Sequence, residues 1–392
     1  MRIKLDVMID EIEMLFDELN LHINFFDTKT TLISFPVLCD GKFEFYKKIE
    51  KFIAIINKYN SNIFRCLGLN NTGNFTYSAT PLSQMINPFD FLYIRPPSAP
   101  SDEYPLQFPT ISKNVQLFMQ LLWEYNSNNQ ATLSPDSMIN NTNVNPVYPQ
   151  PIQDIQLSDR QKHQINNFAF ALKSQLHSEE NQYYFNETQR KTNQKYKDFC
   201  IYFDHLIQKF DDLTFISFDF CLGTDGSLIE VNTANGEKKN ILTFKAQFLN
   251  NARNIDPLSR MVGYMGKWEY NNVQGLYFRM ILIFPTNKVG DIKTLQYQID
   301  NYWCDTLTLG VGLSHHSHIA SYPKKYRKSF CKIKAGQSKD IELFKQRTIG
   351  YLTKSEKYYN PPEIRQRLND LSQSKESSRE TSIVFKSKIR KN

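Results

Sequence analysis

Two apolar runs, LTFISF at 213–218 and GLYFRMILIF at 275–284, constrain this chain more than anything else in it. Each reads as a β-strand. The second follows GYMGKWEY (263–270) across the turn sequence NNVQG (271–275) and stops at Pro285, so the two segments form a hairpin. With even register, Glu269, Tyr277 and Arg279 share one face of that hairpin, because side chains alternate along a strand. Neither run approaches the roughly 18 uninterrupted apolar residues of a membrane span. The N-terminal MRIKLDVMIDEIEMLFDELN mixes acids into its apolar positions, so neither a signal peptide nor a membrane anchor is expected.

The chain has 392 residues, 41% of them hydrophobic, enough for two or three domains with real cores. Its six cysteines are widely separated and contain no C-x-x-C pair, which disfavours a zinc ribbon or a disulfide framework and fits a reducing, cytoplasmic setting. Charge is unevenly distributed. From Ser321 to the end there are 19 Lys and Arg against 7 acids, so the remainder is slightly acidic. Such asymmetry suits either nucleic acid or another polyanion, or a solvated basic face.

Residues 1–125 read as an α-rich domain with short strands. Met8, Ile12, Leu15, Phe16 and Leu19 fall at helical spacing, as do Phe45, Ile49, Phe52, Ile53 and Ile56, and a third helix is marked by Phe118, Leu121, Leu122 and Tyr125. Between the first two, TTLISFPVL (30–38) reads as a strand ended by a turn at Asp40-Gly41. Residues 126–156 turn to Asn, Ser, Pro and Gln without periodicity, as in a linker. A domain over 157–360 then opens with Ser158-x-x-Gln161, a capping box, and two amphipathic helices carrying Ile165, Phe168, Leu172 and Leu176, then Phe199, Tyr202, Phe203, Leu206 and Phe210. Residues 361–392, polar and rich in Ser and Lys, read as a disordered basic tail.

A third motif, Tyr351-Leu-Thr-Lys354, ends an amphipathic helix led by Ile341, Phe344 and Ile349. Tyr-x-x-Lys recurs at 264–267 and 322–325, but only position 351 follows both strand motifs in order. With LTFISFDF, GKWEYNNVQGLYFRMILIF, Asn301-Tyr302-Trp303 before Gly310-x-Gly312, and YLTKSEKYY, the segment from about Leu213 to Tyr359 resembles the inovirus gene-two-type replication proteins, including the YagK/YfjJ C-terminal domain proteins of prophages. The resemblance covers well under half of the chain. It implies an α+β fold, an antiparallel-sheet, HUH/palm-like (ferredoxin-like) domain following the α-rich one, and a rolling-circle initiator acting in the cytoplasm on single-stranded or origin-hairpin DNA with host replication proteins.

The implied reaction is nicking and joining. Tyr351 would attack a phosphodiester and take the 5′ phosphate as a phosphotyrosine, with Lys354 supplying positive charge one helical turn away. Mg or Mn is implied too, held by two histidines in the family's Gly-aromatic-His-x-His strand. Here those positions carry Tyr277 and Arg279, and Arg is no metal ligand. Arg279 either clamps the phosphate itself, or metal-dependent nicking is weakened or lost and a Glu269–Arg279 ion pair fills the metal position. Lys267, Lys324, Lys325, Arg327 and Lys328 are the other candidate phosphate contacts.

His315, His316 and His318 (SHHSH) offer a separate cluster that could hold zinc or manganese if a carboxylate joined them. Three functions follow: an initiator homologue with doubtful nicking, a noncatalytic DNA-binding or regulatory protein of mobile-element origin, or a protein-interaction module.

Overall fold

The computed structural model describes residues 8–15, 38–58, 62–70, 72, 74–79, 112–128, 159–223, 230–232, 238–271, 275–316, 332–358, 362–373 and 382–387. It combines helices with antiparallel sheets and contains two compact units, divided between Glu187 and Thr188. The expected strand at 30–38, apart from its last residue, and most of the expected linker lie outside the described residues.

The first unit contains helices α1 (8–15), α2 (Leu38–Lys58), α3 (Lys113–Asn128) and α4 (Asp159–Leu176), with a hairpin of β1 (Phe64–Leu69) and β2 (Phe75–Ala79). The apolar stripes meet as the periodicity predicts: Phe52 packs edge-on against Phe118, and Phe118 against Phe168. Two expectations change here. Helix α2 begins at Leu38 and takes in Asp40 and Gly41, which had read as a turn. Helix α4, expected to open the C-terminal domain, instead packs with α2, α3 and the hairpin, so the boundary by packing falls later than the Asn- and Pro-rich stretch. Asn166 of α4 supplies the reason: its amide both accepts from and donates to the Phe64 backbone, at 2.9 and 2.7 Å, satisfying strand groups that would otherwise lack partners.

Helix α5 (Glu179–Phe210) leads into the second unit, in which β3 (Asp212–Leu222) is the central strand. A short ladder of β4 (Glu230–Asn232) and β5 (Lys238–Asn240) precedes helix α6 (Ile241–Asn251). The hairpin follows as predicted: β6 (Gly263–Asn271) pairs with β7 (Gly275–Pro285), with Lys267 opposite Arg279 and Glu269 opposite Tyr277. Helix α7 (Ile292–Asn301) continues through a wider turn at Tyr302–Leu307 to β8 (Gly312–His316). Strand β9 (Lys332–Lys334) pairs with the start of β3 on the edge that β8 uses further along. The main order is β6, β7, β3, β8, every neighbouring pair antiparallel.

The C-terminal residues are a correction. Pro362–Gln373 form helix α10, and Val384–Lys386 form β10, which extends the sheet by pairing with β6. Ile364, Leu368 and Leu371 lie at helical spacing and are buried, as are Ile383 and Val384. These few apolar side chains order the segment despite its polar composition.

The sheet's two faces differ. On one, Phe220, Phe278 and Trp268 pack with Phe244 and Phe248 of α6 and with Trp303, all in ring contacts of 4.8–6.5 Å. On the other, Phe215 meets Phe203 of α5 and Phe344 of helix α8 (Ser338–Phe344). Helix α8 runs through a wide turn at Lys345–Ile349 into α9 (Gly350–Lys354), which carries Tyr351. Ion pairs Lys345–Asp204 (2.7 Å) and Lys195–Glu356 (3.1 Å) tie this helical segment to α5.

A lysine also lies on the aromatic face. The Nζ of Lys245 on α6 lies 3.1 Å from the Phe385 ring centroid, 4.8 Å from that of Trp268 and 5.9 Å from that of Phe278. Burial lowers its pKa from the usual 10.5 to about 7.

Candidate functional site

Strand alternation and register put Lys267, Arg279, Asp219 and His315 in one row across β6, β7, β3 and β8, with Glu269 and Tyr277 in the adjacent row. Helix α9 lies over these rows and lowers Tyr351 onto them. Lys267, Glu269, Arg279, Asp219, Tyr277, Tyr351 and Ser355 are all buried, Tyr351 being 4% exposed.

Arg279 organises the cluster. Its Nε and one terminal nitrogen bind both oxygens of Asp219, at 2.7 and 2.8 Å, a bidentate fork. The other terminal nitrogen lies 3.3 Å from Glu269 Oε2 and donates to the Tyr351 hydroxyl at 3.2 Å. That hydroxyl in turn donates to Glu269 Oε1. Lys267 completes the arrangement: its ammonium is 3.1 Å from Glu269 Oε1, donates to Ser355 Oγ at 2.7 Å, and sits 4.6 Å from the centroid of the Tyr351 ring. Ser355 Oγ donates back to the Tyr351 carbonyl at 2.5 Å, which fixes the end of α9 over the strand.

Two carboxylates therefore face two cations in a space closed to water. The guanidinium and the ammonium carry the charge that a divalent cation would carry, and Arg279 lies between the carboxylates that such an ion would need. The side chains here do not fit the magnesium or manganese that the sequence motif implies. Among the described residues no group of three or more His, Cys, Asp or Glu is placed to hold a metal.

The acid–base character follows from the geometry. Burial pushes the Tyr351 hydroxyl well above the ordinary phenol value of 10; the Glu269 carboxylate raises it further, and Arg279 opposes. Tyr277 is raised in the same way, by burial and then by Glu269. For Arg279, burial works against the charge, yet Asp219 and Glu269 overcome it and hold the guanidinium pKa well above its ordinary value. Tyr351 is a proton donor here, and its oxygen is far from the phenolate that attacks phosphorus.

Of the sequence-based candidates, Tyr351, Arg279, Glu269, Tyr277 and Lys267 converge, and the expected Glu269–Arg279 ion pair is present. The Lys354 ammonium lies 4.4 Å from the centroid of Tyr196 on α5, and Arg279 and Lys267 lie against Tyr351. His315 stands opposite Asp219, and His316 opposite Phe218, on β8. His318, Lys324, Lys325, Arg327 and Lys328 lie outside the described residues.

Asp219 and Ser355 are the residues sequence reasoning missed. An acid inside the strand TFISFDFC was the available signal, since a lone carboxylate in an apolar strand needs a buried cation opposite it. Ser355 carries no signal of its own, because its role depends on where α9 ends. No protein-family model, curated protein or solved structure matches this chain.

Proposed function

We propose that this chain is a noncatalytic DNA-binding relative of the rolling-circle replication initiators, whose nicking centre has become a structural ion network. The observation that carries this reading is the commitment of Arg279 to Asp219, Glu269 and Tyr351 at the motif's metal position. A guanidinium so engaged has no arm left to clamp a phosphate, and the tyrosine beside it is buried and protonated.

Two further features support the ancestry. The connectivity β3, α6, β6, β7, α7, β8, with spatial order β6-β7-β3-β8, supports a split βαβ, ferredoxin-like reading. Tyr351 also stands directly over strand position 279, which the motif order alone does not require. Nucleic acid as the partner is supported by the concentration of Lys and Arg after Ser321.

The test is incubation with labelled single-stranded and supercoiled DNA in the presence of manganese. Binding that weakens as salt rises, without a covalent adduct, is the expected result. An adduct that disappears in Tyr351→Phe would overturn the noncatalytic part, and absence of salt-sensitive binding would overturn the DNA-binding part.

A further inference from the structure

One surface of the first unit stays outside its core. On α4, Arg160, His163, Asn167, Phe170 and Ser174 recur at helical spacing along one side of the helix, and all of them are exposed. The opposite side, with Ala169, Leu172 and Leu176, is the buried one. The β1–β2 hairpin extends the exposed stripe. Its Phe75 ring stacks on the His163 imidazole, 6.0 Å between centroids and 9° from parallel, and Leu69 is the cross-strand partner of Phe75. Phe170 is 76% exposed, Leu69 62% and Phe75 50%. Apolar exposure clustered in this way marks an interaction surface, whereas single exposed apolar residues do not.

The stripe is ordered before anything binds. Nε2 of His163 accepts from the Asn167 amide at 3.0 Å, and Nδ1 is hydrogen-bonded to the hydroxyl of the buried Tyr77. With both ring nitrogens held, the imidazole keeps its place beside Phe75, and a fixed aromatic surface loses little freedom on association. Charge selects the occupant. Across α4 and the two strands, Arg65, Arg160, Lys162 and Lys173 stand against a single acid, Asp159, and that acid is ion-paired with Lys162 at 3.0 Å. A second copy of the same face would bring like charges together, whereas a strand of phosphates carrying flat bases complements both the cations and the rings.

We infer that this face of the first unit is a stacking platform for single-stranded nucleic acid, with bases on Phe75, His163 and Phe170 and phosphates toward Arg160. The inference rests on the DNA-binding reading above and adds to it a base contact in the first unit. A duplex, whose bases are stacked inside, offers the platform only its phosphates, so the face prefers single strands.

The test is binding of the full chain, followed by fluorescence anisotropy, to a labelled oligothymidylate and to an abasic strand of equal length, which keeps the phosphates and lacks the bases. The wild type should prefer the oligothymidylate by roughly fivefold or more, the size expected of one base stacked on an aromatic side chain. Phe75→Ala and Phe170→Ala should each reduce that preference, with affinity for the abasic strand unchanged. Phe170 points into solvent, so its removal leaves the core intact. A wild type that does not discriminate, or variants that discriminate as well as it does, overturns the inference, while salt-sensitive binding to both strands would leave the DNA-binding reading standing. Absence of salt-sensitive binding to either strand removes both. Self-association that Phe170→Ala abolishes, with discrimination between the strands unchanged, would give the face to a second copy of the chain instead.

Discussion

The two faces of the C-terminal sheet each bury lysine or arginine, and they resolve the cost of doing so in opposite ways. Under α9, Arg279 and Lys267 meet Asp219 and Glu269, so each basic group has an acidic partner. Under α6, Lys245 meets only rings, so the cheaper course is to release the proton. Burial by itself therefore does not decide whether a basic side chain in this fold is a cation. The row of strand partners beside it does.

The largest break in that comparison should come from Arg279→Met. It leaves Asp219 without its bidentate partner and takes one of two cations from Glu269, and an uncompensated buried charge typically costs about 3–5 kcal/mol. Urea unfolding followed by tryptophan fluorescence would read this, since Trp268 and Trp303 both lie buried in this unit. A loss under about 1 kcal/mol would mean that the network is a bystander.

Next in size is a pH effect confined to the other face. The Lys245 pKa is about 7 in the folded chain, against 10.5 for an ordinary solvated lysine, so between these values the unfolded state binds the extra proton. Stability from this group is therefore gained as pH rises from 7 toward 10.5 and lost as pH falls through 7, at roughly 1.4 kcal/mol per unit. Lys245→Met removes the term. The stability of the wild type relative to this variant should rise by about 2.5 kcal/mol between pH 7.5 and 9.5.

How much of this was legible beforehand depends on whether a residue's partner is local. The β6–β7 hairpin is local, so its register, and with it the facing of Glu269, Tyr277 and Arg279, could be read from the turn and the alternation. Asp219 meets Arg279 across 60 residues through pairing of β3 with β7, and nothing in either segment alone specifies that neighbour. The C-terminal segment failed for a different reason. Its composition is that of a solvated tail, and three buried apolar residues at helical spacing plus Ile383 and Val384 outweigh it only because β6 offers an open edge.

A smaller effect is expected from Tyr351→Phe. The change removes the donor to Glu269 Oε1 and the acceptor for one Arg279 nitrogen but leaves the ring beneath Lys267, so it should cost about 1–3 kcal/mol. It should also remove one of the late steps in an alkaline titration followed by tyrosine absorbance, since burial and Glu269 hold this phenol, like Tyr277, well above its ordinary value.

The smallest effect should be that of Lys354→Ala, and its smallness is informative. If Lys354 acted on the Tyr351 hydroxyl, as its position three residues along the helix suggests, removing it would raise the tyrosine's pKa still further and loosen the network. In the structure its ammonium rests on Tyr196 instead, a contact worth about 0.5–1 kcal/mol at a partly exposed site. Loss of this contact should shift unfolding by about that much, and the step that Tyr351→Phe removes should remain at the same pH. A displaced step would return Lys354 to the tyrosine's electrostatic environment and weaken the assignment of that role to Arg279 and Lys267. An unmoved step leaves the face under α9 as a balanced set of two acids, two bases and a protonated phenol, in contrast to the lone amine on the other side.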